Sequence, residues 1–243
     1  DDQKAFSRAC GDEVKEWPAE DLFKKYTMIS LISCKIPRLP EVPWECPELK
    51  LLVLENDDIG DSQEIPSKCF EGMKELKVLD VTGIRIPSLP LSLLSLKHLH
   101  TLCLDYCELA DITLVGQLTN LKILSLIYSK VKELPKEIGQ LTRLQLLDLT
   151  GCSELVLISP GVISSLTRLE DLRMGIKSFK QWEGEGLVDG RRSNASVSEL
   201  KHLPHLSALD IHITDANLLP TNLFSDKLER YTILVGDCWE YPN

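Results

Sequence analysis

The 243-residue sequence predicts an α/β solenoid: a curved stack of coils, with parallel β-strands along its concave side and irregular or short helical return segments. Two observations carry that prediction. Within residues 118–149 (LTNLKILSLIYSKVKELPKEIGQLTRLQLLDL), Leu121, Leu124, Leu126, Ser129, Val131 and Leu134 fall at offsets 0, 3, 5, 8, 10 and 13, and Leu144, Leu147, Leu149 and Cys152 restart the series 23 residues later. The same frame then runs along almost the whole chain. Its first position falls at Tyr26, Leu49, Leu76, Leu99, Leu121, Leu144, Leu169, Leu206 and Leu228, at spacings of 23, 27, 23, 22, 23, 25, 37 and 22 residues.

A Leu-x-x-Leu-x-Leu-x-x-(Cys/Asn/Ser/Thr) frame at 20–29 residues is the leucine-rich repeat signature, and each part of it has a physical cause. The x-Leu-x-Leu-x segment alternates as a strand does and sends both leucines to one face. Eight of the nine frames keep an aliphatic residue at both strand positions: Ile29/Leu31, Leu52/Leu54, Leu79/Val81, Leu102/Leu104, Leu124/Leu126, Leu147/Leu149, Leu172/Met174 and Leu209/Ile211; the ninth is degraded to Tyr231/Ile233. The small or polar residue three places on turns the chain and can bond to backbone in the bend. One repeat cannot bury its own apolar face, so the coils must stack.

Domain organisation follows. Residues 1–25 lack the frame and read as a junction and capping segment, with Leu22 and Phe23 placed to cover the first coil and Trp17-Pro18 as an anchor. Residues 26–243 form one domain of about nine repeats. The 37-residue spacing predicts an inserted loop at about 177–199, rich in glycine and charge (Gly184, Gly186, Gly190), with little to bury except Trp182 and Leu187. The closing DCWEYPN supplies no polar cap, so further C-terminal repeats are expected beyond it.

No apolar run is long enough for a membrane span, and no signal sequence opens the chain. A net charge of −10 argues against nucleic acid or an anionic membrane as the main partner. Of eight cysteines, Cys34, Cys107 and Cys152 take the ninth frame position and Cys103 lies between strand leucines; without C-x-x-C spacing, reduced thiols in a cytoplasmic protein are expected. His202-x-x-His205 reads as solvent-facing rather than metal-binding. The Asn56–Asp61 cluster fails the calcium-loop spacing, with Glu64 too early. Asn194-Ala195-Ser196 is a formal glycosylation acceptor, of consequence only on secretion. No catalytic constellation occurs, so no enzyme is expected.

What remains is the surface flanking the strand leucines. Carboxylates recur there at Glu55, Asp80, Asp105, Asp148, Asp171 and Asp210, joined by Arg173 and His212. Aliphatics recur beside them at Leu51, Val53, Val78, Ile123, Ile127 and Leu146. Apolar groups facing water call for a cover, and acidic neighbours suit a basic, partly hydrophobic protein partner; an ordinary mixed surface is the alternative. The candidate protein-binding residues are Glu55, Asp80, Asp105, Ile123, Ile127, Asp148, Asp171, Arg173, Asp210 and His212, and no cofactor-binding or metal-binding residue is assigned.

The return segments carry a resemblance. Ile36-Pro37-Arg38-Leu39-Pro40, Ile86-Pro87-Ser88-Leu89-Pro90 and Val131-Lys132-Glu133-Leu134-Pro135 resemble the repeats of plant intracellular immune receptors, the disease resistance proteins that join a coiled-coil or similar domain, a nucleotide-binding switch and leucine-rich repeats. Glu16-Trp17-Pro18 followed by Tyr26 to Leu31 is similar to that family's junction between switch and repeats. The resemblance implies a noncatalytic horseshoe that holds the receptor's own nucleotide-binding domain inactive; from their place on the strand face, Asp80 and Asp105 are expected among the contacts that clamp it. It also implies sensing of a pathogen effector, directly or through a guarded host protein. ATP or ADP would belong to an upstream domain, not to this chain. The rival reading is a freestanding adaptor, such as the substrate receptor of a ubiquitin ligase or a secreted enzyme inhibitor.

Overall fold

A computed structural model describes residues 4–9, 16–17, 20–33, 39–55, 65–175, 177–184, 193–220, 223 and 228–236. The expectations for Cys34, Ile36 to Arg38, Asn56 to Glu64, Gly186, Leu187, Gly190 and the closing DCWEYPN lie outside the described residues.

The twelve strands are β1 (Ala5–Arg8), β2 (Met28–Leu31), β3 (Leu51–Leu54), β4 (Val78–Asp80), β5 (Thr101–Cys103), β6 (Ile123–Ser125), β7 (Glu133–Leu134), β8 (Leu146–Asp148), β9 (Leu157–Ile158), β10 (Asp171–Met174), β11 (Ala208–Ile213) and β12 (Arg230–Val235). Ten of them form one sheet in the order β1-β2-β3-β4-β5-β6-β8-β10-β11-β12, and β7 pairs with β9 behind it. Every pairing is parallel and in frame, so Ile29, Leu52, Leu79, Leu102, Leu124, Leu147, Leu172 and Leu209 stand side by side. All eight are buried and form one rail of the core.

The return segments supply the other rail. After the short N-terminal helix α1 (Glu20–Phe23), they carry 3-10 turns at Leu91–Ser95, Thr113–Gln117 and Lys136–Gln140, then the short helix α2 (Val162–Ser165) and a further turn at Val197–His202. Pro90 and Pro135 precede two of these turns in extended backbone, which their rings favour. Leu93, Val115, Ile138, Ile163 and Leu200 point inward from successive coils. Gly116 has to be glycine because a Cβ there would run into the Glu137 carbonyl of the next coil. Strands repeat at ~4.8 Å while helical returns need more width, so the stack curves toward its strand face.

The bends join the rails through a ladder of small donors. Cys107 donates to the Val81 carbonyl at 3.4 Å, Ser129 to Leu104 at 2.5 Å, Cys152 to Leu126 at 2.9 Å and Ser178 to Leu149 at 2.8 Å. Each side chain therefore satisfies a carbonyl of the preceding coil, which apolar residues there would leave unpaired. Burial pushes the Cys107 and Cys152 thiols up to about 12, so both remain protonated donors.

The structure departs from the sequence reading at both irregular places. Residues 5–8 are not outside the frame's architecture: β1 pairs in register with β2, and Phe6 packs on Tyr26 at a ring distance of 5.9 Å. Trp17 and Phe23 pack on the buried Trp44, as an anchor would, whereas Leu22 is exposed. The insertion begins and ends inside the core rather than on the surface. Phe179 and Trp182 are buried and meet edge to face at 5.0 Å, and residues 194–200 are buried. Asn194 accepts from the Ile158 amide at 2.7 Å and donates to the Val156 carbonyl at 2.9 Å. Glu199 accepts from the amides of Gly161 and Ser164, capping α2, and from that of Ser196 in its own turn.

Candidate protein-binding face

The strand face is ordered in three columns. The first runs Met28, Leu51, Val78, Thr101, Ile123, Leu146, Asp171, Ala208 and Arg230. Its first six members are half-buried, and five of them are apolar. The second runs Ser30, Val53, Asp80, Cys103, Ser125, Asp148, Arg173, Asp210 and Thr232. The third includes Ile32, Glu55, Asp105 and Ile127, beyond the ends of their strands, and His212, still within the longer β11. Ile123, Ile127 and Glu55, expected to face water, are half-buried.

Most of the expected acidic strip is already engaged. Asp80 accepts from the Thr82 amide at 3.0 Å and its hydroxyl at 2.6 Å. Asp105 reaches into the next coil, accepting from the Ser125 hydroxyl at 2.6 Å and the Ile127 amide at 2.8 Å. Burial nevertheless raises its pKa above the ordinary aspartate value, with Asp80 and Asp148 adding repulsion against the lowering effect of those bonds. Asp171 pairs with Arg173 at 2.7 Å and with Arg230 at 2.8 Å. Arg230 reaches it past Ala208, the small residue between them in the column. Asp210 is half-buried, with a pKa raised first by burial and then by Asp148, and its carboxylate fills the space that a Cβ on Gly175 would need.

Two expected site residues are not on the surface. Asp148 is 3% exposed, because its carboxylate turns down to the Thr150 amide at 3.0 Å and lies under Arg173 at 3.3 Å. His212 is also 3% exposed: β11 and β12 pair for six residues there, and Gly236 brings its carbonyl to 2.8 Å from His212 Nε2. Neither side chain is available to a partner. Cys103 is half-buried, its thiol pushed up to about 12 by burial and by the neighbouring Asp80 and Asp105. With Cys46, Cys69, Cys107 and Cys152 it is a free thiol. Asn194 is spent on two backbone bonds and closed to a glycan. His202 and His205 are exposed. Among the described residues no group of three or more His, Cys, Asp or Glu side chains could hold a metal ion, and no helix is long and apolar enough to cross a membrane.

Sequence reasoning passed over one feature. Lys50, Lys77, His100 and Lys122 each stand immediately before a strand and form a basic rim beside the apolar column. Their shared place in the frame was the available signal.

A ten-stranded parallel sheet with a donor ladder in its bends and 3-10 return turns is a leucine-rich repeat solenoid. Solved structures agree on that fold. A leucine-rich repeat protein of Leptospira interrogans superposes with a TM-score of 0.62 at 24% identity, over 90% of this chain and 52% of that one. The Arabidopsis receptor kinase HAESA, solved with the peptide hormone IDA and the co-receptor SERK1, gives a TM-score of 0.57 at 20% identity, over 95% of this chain and 32% of that one. No family model matches the sequence. Among curated proteins, disease resistance protein At4g27190 of Arabidopsis thaliana is 30% identical over 86% of this chain, and probable disease resistance protein At4g27220 is 30% identical over 82%. The chain is thus a homologue of Arabidopsis disease resistance proteins over most of its length, with the fold of a leucine-rich repeat region. It spans about a fifth of the length of these two relatives.

Proposed function

We propose that this chain is the noncatalytic recognition and autoinhibitory region of a cytoplasmic plant disease resistance receptor. Its strand face docks proteins: the receptor's own nucleotide-binding domain in the closed state, and a pathogen effector or a guarded host protein in sensing. One observation carries this reading. The column Met28, Leu51, Val78, Ile123 and Leu146 keeps half-buried apolar side chains in line across the strand face. Leaving such a stripe to water is unfavourable, and a covering protein surface removes the cost. The kinship with disease resistance proteins supports the same conclusion. A ligand that opens the receptor must prefer the open state, by about 5.5 kcal/mol for a near-complete switch.

The test places Ile123→Glu with Leu146→Glu in the full-length receptor, beside Leu91→Glu on an exposed return turn. The strand-face pair is expected to trigger cell death in leaves without a pathogen, while the return-turn change leaves the receptor quiet. A quiet strand-face variant that accumulates normally would sink the autoinhibitory reading.

A further inference from the structure

We infer that the N-terminal rim of β3 to β6 docks an acidic protein segment, whose carboxylates lie over Lys50, Lys77 and Lys122 and whose apolar side chains lie over Val78 and Ile123. The inference rests on the protein-docking reading above and fixes the partner's chemistry.

The rim is a geometric unit. The Lys77 amide donates to the Lys50 carbonyl at 2.9 Å, His100 to Lys77 at 2.8 Å, Lys122 to His100 at 2.7 Å and Gln145 to Lys122 at 2.7 Å. These residues therefore sit on successive rungs, ~4.8 Å apart. The three lysines are exposed, and His98 and Arg143 add to the same cluster. Lys50 and Lys77, like charges on neighbouring rungs, repel and destabilise the stack, and Lys122 adds to the same positive field two rungs beyond Lys77. His100, on the rung between Lys77 and Lys122, adds no charge of its own at neutral pH, since its pKa is lowered by burial and then by Lys122, Lys77, His98 and Arg143. A chain of net charge −10 has carboxylates to spare, yet none of the described ones pairs with this rim. Four cations elsewhere are matched: Arg85 and Lys130 meet Glu108, and Arg173 and Arg230 meet Asp171. Past Lys122 the rim turns neutral and then acidic at Gln145 and Glu170. The uncompensated run is confined to the coils whose next column is Leu51, Val78, Thr101 and Ile123.

The sign of the partner follows. Asp148 and Asp171 are paired with Arg173, and Asp80 and Asp105 spend their carboxylates on internal hydrogen bonds, so the charged groups left without a partner beside the apolar column are the lysines, and an acidic surface complements them. An apolar stripe next to the lysines favours a protein over a nucleic acid, whose backbone would leave that stripe bare.

The experiment uses the 243-residue chain and three fluorescein-labelled probes in anisotropy titrations: a peptide of six Leu-Glu repeats, one of six Leu-Lys repeats, and a single-stranded oligonucleotide. The Leu-Glu peptide is expected to bind, to weaken with salt, and to lose affinity by roughly tenfold or more in Lys77→Glu/Lys122→Glu. The Leu-Lys peptide and the oligonucleotide are expected to bind far less. Unchanged affinity in the double variant, equal binding of the oligonucleotide, or no binding of the Leu-Glu peptide overturns the inference. Preferential binding of the Leu-Lys peptide, lost in Ile123→Glu/Leu146→Glu, overturns the rim proposal alone and leaves the docking face standing.

Discussion

Tyr128 adopts a left-handed backbone with φ 53°, stacks on Tyr106 at 5.3 Å and lays its ring over Gly151, itself at φ 71°. A Cβ at Gly151 meets both a disfavoured backbone and that ring. Gly151→Ala is expected to cost about 2–4 kcal/mol in urea unfolding, and adding Tyr128→Ala should recover the steric share only. A double variant no more stable than the single one would show that the ring is not the obstacle. Asn194→Ala strips partners from the Ile158 amide and the Val156 carbonyl, each worth about 1–3 kcal/mol when left unsatisfied and buried. A loss within experimental error would mean that water replaces the side chain. Asp105 gives a pH signature. Its folded pKa is raised above the ordinary 3.8, so the ionised form is disfavoured by folding, and Asp105 weakens the fold as pH rises through that raised value. Asp105→Asn keeps the acceptor for Ser125 and Ile127. It should raise Tm at pH 7, with the gain fading as pH falls toward the ordinary carboxylate range; a gain independent of pH contradicts the assignment.

At the scale of the coil, the strand leucines are interchangeable in kind but not in cost. Leu124 is wholly buried between β5 and β8, whereas Tyr231 stands 64% exposed on β12. Leu124→Ala is expected to cost about 2–5 kcal/mol, and Tyr231→Ala to stay within about 0.5 kcal/mol, both read from urea midpoints. Equal costs would mean that the ninth frame is packed like the inner ones. This contrast explains what was legible in the sequence. The frame is a local code, so strands, bends and the cysteine and serine donors could be placed from spacing. β1 was not legible, since Ala5–Arg8 carries one large apolar residue, Phe6, and takes its register from β2. The insertion misled because its anchors take partners that spacing does not give: Phe179 and Trp182 pack on each other in the core, and Asn194 bonds to Ile158, 36 residues upstream in the preceding coil. The carboxylates misled for a related reason. Whether Asp105 or Asp148 faces a partner depends on Ile127 and Arg173, which lie 22 and 25 residues downstream.

Over the whole molecule, stability and docking pull the basic rim in opposite directions. Coils in a solenoid touch only their neighbours, so the repulsion between Lys50 and Lys77 on adjacent rungs enters the energy of the stack directly. Lys77→Glu turns that repulsion into an attraction, an opposed pair being worth roughly 0.2–1 kcal/mol, and Lys122→Glu gives His100 a second acidic neighbour. Lys77→Glu/Lys122→Glu should therefore unfold at a higher urea concentration than the wild-type chain at low ionic strength. The difference should shrink in ~1 M salt, where the screening length falls to ~3 Å. A variant that is more stable yet binds acidic peptide less well ties the lost affinity to charge rather than to a damaged fold. It is also the pattern expected where a surface is kept for a partner at some expense to the fold. If the substitutions leave stability unchanged at every salt concentration, the lysines are too well solvated to repel one another, and their alignment loses its significance.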